Sequence, residues 1–115
     1  MVVNLSDAPL RTALAATIDG LWEITTAVVD TDPNKDTNVS HLRWMLETLE
    51  ENINDYPTDK ISRWIGYVQG VMAMKGLISV KAERDRTRPL FHDAYSAMGQ
   101  SIPPTLSNKT EDHER

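Results

Sequence analysis

Four basic side chains crowd one stretch of the chain: Lys81, Arg84, Arg86 and Arg88. On a helix, Lys81, Arg84 and Arg88 fall within an arc of about 60°. Three cations so placed could converge on a phosphate or a carboxylate cluster, and the planar fork of arginine suits either. Glu83 and Asp85 are interleaved among them and can neutralise the stripe through neighbouring pairs. Two readings follow, a charged face paired within the chain and a partner- or anion-binding site.

No other residues gather into a reactive pattern. His41, His92 and His113 stand far apart, without the ligand spacing of a metal site. No Gly-x-Ser-x-Gly, phosphate loop or dinucleotide fingerprint occurs. Gly66 and Gly70 sit inside a helical pattern whose backbone N–H groups are already used, so they cannot cradle phosphate. Glu47, Glu50 and Glu51 read as a solvated helix face. There are no cysteines, which excludes disulfides, thiolate metal sites and cysteine nucleophiles and fits a reducing compartment. The expectation is a protein without enzymatic activity, metal or cofactor.

The 115 residues amount to one domain, with 40% hydrophobic and 25% charged side chains as in ordinary globular proteins. A formal net charge of −5 disfavours bulk attraction to nucleic acid or to an anionic membrane. Asp19 and Glu23 interrupt the only stretch apolar enough to suggest a signal peptide or membrane span, so a cytoplasmic protein is expected. The fold expected is a small all-α bundle of three to four helices over residues 1–99. Residues 100–115, polar and proline-bearing, read as a disordered tail.

The first helix runs from about Asp7 to Val29, opened by Ser6 or Asp7 with Pro9 in its first turn. Its apolar stripe is Leu10, Leu14, Ile18, Leu21, Trp22, Thr25, Val28 and Val29. Gly20 costs about 1 kcal/mol against alanine there, which points to a bend or a close contact. Residues 30–38 form a polar loop rich in turn chemistry. The second helix starts near Thr37 or Asn38, ends about Asn52, and buries Val39, Leu42, Met45 or Leu46, Leu49 and Ile53. Trp44 lies roughly 200° from Leu42, so it belongs to a second contact surface or is exposed.

The third helix, from about Pro57 to Lys75, should pair with the second as an antiparallel hairpin and stop at Gly76 in a left-handed cap. Ile61, Trp64, Ile65, Tyr67, Val68, Val71, Met72 and Met74 cover half of it. Ser62, Gly66, Gly70 and Ala73 make the remaining arc small. Such a helix is expected to be buried on both flanks, with a neighbouring backbone close to the glycines, at the centre of the fold. Ser79 caps a fourth segment, which Pro89 either kinks or breaks. The apolar stripe Leu90, Phe91, Ala94, Tyr95 and Met98 continues it to Gly99.

The stretches His41–Met45, Asp59–Met72 and Glu83–His92 resemble small uncharacterised proteins of enterobacterial tailed phages and prophages. The resemblance covers the C-terminal half. It implies a phage accessory protein expressed inside a bacterial cell and carries over no functional residue. Trp44, Trp64, Tyr67, Met45, Met72 and Met74 exceed what a two-helix hairpin can bury. Trp44, Trp64, Tyr67, Gly66 and Gly70 are therefore read as an interface, for a homodimer and for a host or phage protein. The expected function is stoichiometric protein binding, inhibition of a host defence protein being one form of it. The alternative is a nucleotide- or nucleic-acid-binding module built on Lys81 to Arg88 with Tyr95 or Trp44 beside it.

Overall fold

A computed structural model of the chain describes residues 5–100, and the tail segment from 101 onward lies outside the described residues. A single turn at Leu5–Asp7 leads into α1 (Ala8–Thr26), followed by α2 (Val39–Glu51), α3 (Thr58–Met74) and α4 (Val80–Ala97). The architecture is an all-α bundle, and no strand occurs among the described residues.

Local chemistry accounts for most of the boundaries. Asn38 caps α2 by accepting from the Ser40 N–H, and Ser79 caps α4 by accepting from the Ala82 N–H. Gly76 adopts φ 75°, and the pair of bonds Leu77 N–H to Met72 O and Gly76 N–H to Ala73 O closes α3 in a Schellman motif. Pro89 lies inside α4 and the helix runs through it unbroken. Its ring leaves the Asp85 carbonyl, one turn back, without an intrahelical donor.

The first helix departs from expectation at both ends. Asp7 precedes it but makes no capping bond; its carboxylate takes Arg11 at 3.0 Å instead. At the other end α1 stops at Thr26, and Val29, expected in the apolar stripe, is 93% exposed. The β-branched run after Leu21 favours helix weakly. The Thr25 and Thr26 hydroxyls there donate to the Trp22 and Glu23 carbonyls at 2.6 Å.

The loop 30–38 is strongly self-organised. The Asp30, Asp32 and Asn34 side chains each accept from the backbone N–H two residues on, at 3.0, 2.9 and 2.9 Å. This is a run of Asx turns, which lets three polar side chains satisfy backbone that no helix serves.

The core is built from Leu14, Ile18 and Leu21 of α1, Leu42, Met45, Leu46 and Leu49 of α2, and Ile61, Ile65, Val68 and Met72 of α3. The hub is α1, which packs against each of the other three helices. The expectation that α3 is central and enclosed on both flanks is overturned. Gly66 and Gly70 are exposed, and a Cβ built on either meets nothing within 4 Å. Tyr67 and Met74 on its bulky side are 40% and 89% exposed.

The physical reason lies at Gly20. A Cβ there would stand 2.5 Å from Nη1 of Arg86, so this is the glycine a neighbour actually approaches. The Arg86 guanidinium fits that notch and is held at 2.8 Å by Glu83, which is only 9% exposed and also accepts from Gln69 at 2.8 Å. This polar key docks α4 along α1 and draws it away from the small flank of α3. That flank is left open.

Candidate protein-docking surface

Antiparallel packing of α2 and α3 sets two tryptophans side by side. Trp44 and Trp64 lie at nearly the same distance from the 52–57 turn, and their ring centroids are 6.0 Å apart. His41 stacks on Trp44 at 5.6 Å, one helical turn earlier on α2. Tyr56, at the turn, meets Trp64 edge-on at 6.3 Å. Lys60 spans the last two rings, its Nζ 3.9 Å from the Tyr56 centroid and 5.3 Å from that of Trp64. The result is a row of four rings with a cation at one end. Trp44 is its most open member, at 53% exposure.

Of the residues read from sequence as an interface, Trp44 and Trp64 are thus brought together. Tyr67 lies further round α3, where its hydroxyl donates to the Asp36 carbonyl at 2.6 Å. Gly66 and Gly70 occupy a separate flank, since at 100° per residue Gly66 is about 160° from Trp64. His41, Tyr56 and Lys60 were not read as part of any site. Their signal was present in the spacings His41 to Trp44, Tyr56 to Lys60 and Lys60 to Trp64, each three or four residues and therefore one turn.

The basic stretch behaves differently from its linear order. Lys81 pairs with Asp85 at 2.8 Å on an exposed face and holds that carboxyl below its ordinary pKa. Arg86 is committed to Glu83 and the Gly20 notch. Arg84 lines a groove of about 290 Å³ between α3 and α4, together with Gly70, Ala73, Ile78 and Val80. Arg88 is exposed. Lys81, Arg84 and Arg88 thus share a side of α4, where all three lower the pKa of Asp85, and Arg86 alone turns away toward α1.

A larger groove of about 700 Å³ lies between α1 and α2, lined by Asp19, Trp22, Glu23, Glu47, Glu50 and Glu51. Its five carboxylates make the groove repel anions. Among the described residues, no group of three or more His, Cys, Asp or Glu is arranged to hold a metal ion, and no helix is long and apolar enough to cross a membrane.

The chain matches no family model, no curated protein and no solved structure.

One further cluster is structural. Lys75, just past the end of α3, places its Nζ 2.7 Å from Asp30 and 2.9 Å from Asp32, tying the loop to the helix. The Lys75 contact lowers the Asp30 pKa. The Thr37 hydroxyl, then Lys75, lower that of Asp32 from 3.8 to about 2. The two carboxylates raise the pKa of Lys75 above 10.5, Asp30 contributing more. Depressed carboxyl pKa values give stability that is complete above about pH 4 and lost as pH falls through about 2. The raised ammonium pKa gives stability complete below 10.5 and lost above it. Lys75→Met should therefore lower the thermal midpoint by several degrees at neutral pH, and flatten its decline between pH 4 and 2. Melts across that range check this, and equal acid sensitivity of the two proteins would show that the clamp does not contribute.

Proposed function

We propose that the protein acts by stoichiometric binding to another protein, without catalysis, and that the aromatic row on α2 and α3 is its docking surface. The observation that carries this reading is Trp44, half in solvent on a rigid helix, with His41 stacked on one side and Trp64 tilted against the other. Exposing an indole forgoes burial that a folded chain otherwise exploits. Tryptophan, tyrosine and arginine dominate the binding energy of protein interfaces. Lys60 at the end of the row adds a polar group of the kind found at an interface rim. Together with the resemblance to phage proteins, this favours an accessory factor of a tailed phage or prophage that engages a host or phage protein, inhibition of a defence protein being one such role.

The nucleic-acid reading has less support. Lys81 and Arg86 are engaged by carboxylates, the α1–α2 groove is lined with acids, and the net charge is −5.

The test compares capture of proteins from an enterobacterial lysate by the wild-type chain and by Trp44→Ala. A partner retained by the first should be lost, or bound about thirtyfold more weakly, by the second, as for an interface hot spot of about 2 kcal/mol. The substitution should cost the fold about 1 kcal/mol or less, since it removes only ring contacts at the surface. A specific partner held equally by both proteins would sink the assignment of this surface.

A further inference from the structure

The acidic groove between α1 and α2 opens beside the aromatic row, and Trp44 stands on the ridge between them. Around α2, Glu51 and Glu47 fall about 20° and 60° from Trp44 on its α1 side, while His41 falls about 60° away on the other. The carboxylates therefore begin where the rings end. Asp7, Asp30, Asp32, Asp59, Glu83 and Asp85 each meet a cation of the same chain. None of the five in the groove does, and their number equals the whole net charge of −5. Glu47 and Glu51, one turn apart, repel one another. A second observation comes from the seam beneath. Trp22 lines the groove, and its Nε1 is buried without an acceptor. Arg43 donates to the Thr25 carbonyl across the same seam, and its Nε is buried without an acceptor too. These are the two unanswered buried side-chain donors among the described residues. A buried donor left unpaired costs free energy that an incoming acceptor recovers.

We propose that the partner of the aromatic row is a basic segment of another protein, with arginines and large apolar residues at helical spacing. This rests on the row being a docking surface and adds the chemistry of what docks there. An arginine laid on the ridge stacks its guanidinium on the exposed indole of Trp44 and, from the same place, pairs with Glu47 or Glu51. Those two carboxylates stand one turn apart, which matches cations one turn apart on a helix lying along α2. Apolar residues on the other side of that helix cover Trp64. Further cations enter the groove against Asp19 and Glu23, and a carbonyl of the segment gives the Trp22 N–H its acceptor. A polypeptide carries apolar, cationic and carbonyl groups together. A nucleic acid is repelled by the same carboxylates. A polyamine answers the charge but brings no carbonyl and little apolar surface.

Fluorescence anisotropy of two short synthetic helices tests this, one built of leucine and arginine at helical spacing and the other of leucine and glutamate. The full chain should bind the arginine helix with a micromolar Kd that weakens severalfold between about 0.05 and about 0.3 M salt, and should ignore the glutamate helix. Trp44→Ala should weaken binding about tenfold or more, and so should Glu47→Lys with Glu51→Lys. Asp36→Lys with Asp93→Lys makes the same change of net charge at exposed positions elsewhere and should weaken it about threefold or less. The thermal midpoint of Glu47→Lys with Glu51→Lys should be unchanged or higher, since two cations replace two of five crowded anions. That readout separates lost binding from lost folding. A chain that binds the two helices alike overturns the proposal, as does a loss as large from the control pair as from the groove pair. Spermine bound as tightly as the arginine helix would place the affinity in charge alone and overturn it as well. A partner captured from lysate that is lost to Trp44→Ala but kept by Glu47→Lys with Glu51→Lys overturns the basic chemistry and leaves the row a docking surface. The two readings are thereby told apart.

Discussion

Gly20→Ala should destabilise the protein by about 1–2 kcal/mol, and the same substitution should become stabilising by about 1 kcal/mol once Arg86 has been replaced by alanine. The reversal follows from two opposed effects. Alanine is favoured over glycine in mid-helix by about 1 kcal/mol, and this gain is available in any background. With Arg86 present, the new methyl would sit 2.5 Å from Nη1 and 2.8 Å from Cζ of the guanidinium, so the arginine must leave. Arg86 gives Glu83 three hydrogen bonds of 2.8 to 3.1 Å. Its departure leaves a carboxylate that is nearly buried and keeps only Gln69. Breaking a fully buried pair costs 3–5 kcal/mol; with Arg86 a third exposed, about 2–3 kcal/mol is the appropriate figure. Arg86→Ala alone should cost that amount. Urea denaturation of the four proteins in the cycle measures the coupling directly. A Gly20→Ala protein more stable than wild type would show that the guanidinium moves aside freely and that the key does not fasten α4.

How far the sequence revealed this arrangement can be judged from the same residues. Helix limits were legible wherever a side chain or a glycine sets them locally: Asn38, Ser79 and Gly76 all act within three residues of their own position. The buried stripe of α2 was legible because Val39, Leu42, Met45, Leu46 and Leu49 repeat with the helical period. Periodicity does not say which of several glycines a neighbour approaches. Gly66 and Gly70 share a face with Ser62 and Ala73 and looked covered, whereas Gly20 stands alone among large residues and is the one in use. The difference is made by Arg86, whose long side chain reaches across from α4, and reach across 66 residues of chain leaves no trace in local pattern. The aromatic row was half legible. Trp44 was placed off the core stripe correctly, but that it meets Trp64 depends on the register of the hairpin. That register in turn depends on how the 52–57 turn is held.

Arg11 holds that turn. Nη1 donates to the Ile53 carbonyl at 2.8 Å and to the Tyr56 carbonyl at 2.7 Å, while Nε pairs with Asp7. The residue is 7% exposed. An arginine reads as solvent-facing by type, yet Arg11 continues the row Leu14, Ile18, Leu21 and Thr25 at helical spacing, and that position is what buries it. Arg11→Met keeps much of the side-chain volume and removes the donors, leaving two turn carbonyls without their partner. Each buried, unpaired acceptor costs about 1–3 kcal/mol, so a total near 3 kcal/mol is expected. For a domain of this size that lowers the thermal midpoint by roughly 10–20 °C. Arg11→Lys should recover less than half of the loss, because one ammonium cannot reach both carbonyls and Asp7 with the geometry of the guanidinium. The loss should be local as well as global: amides of residues 52–57 exchange faster, and Trp44 fluorescence shifts as its register against Trp64 loosens. A calorimetric midpoint within a few degrees of wild type for Arg11→Met would mean the turn is held by its own hydrogen bonds. The aromatic row would then owe its geometry to the α2–α3 core contacts alone.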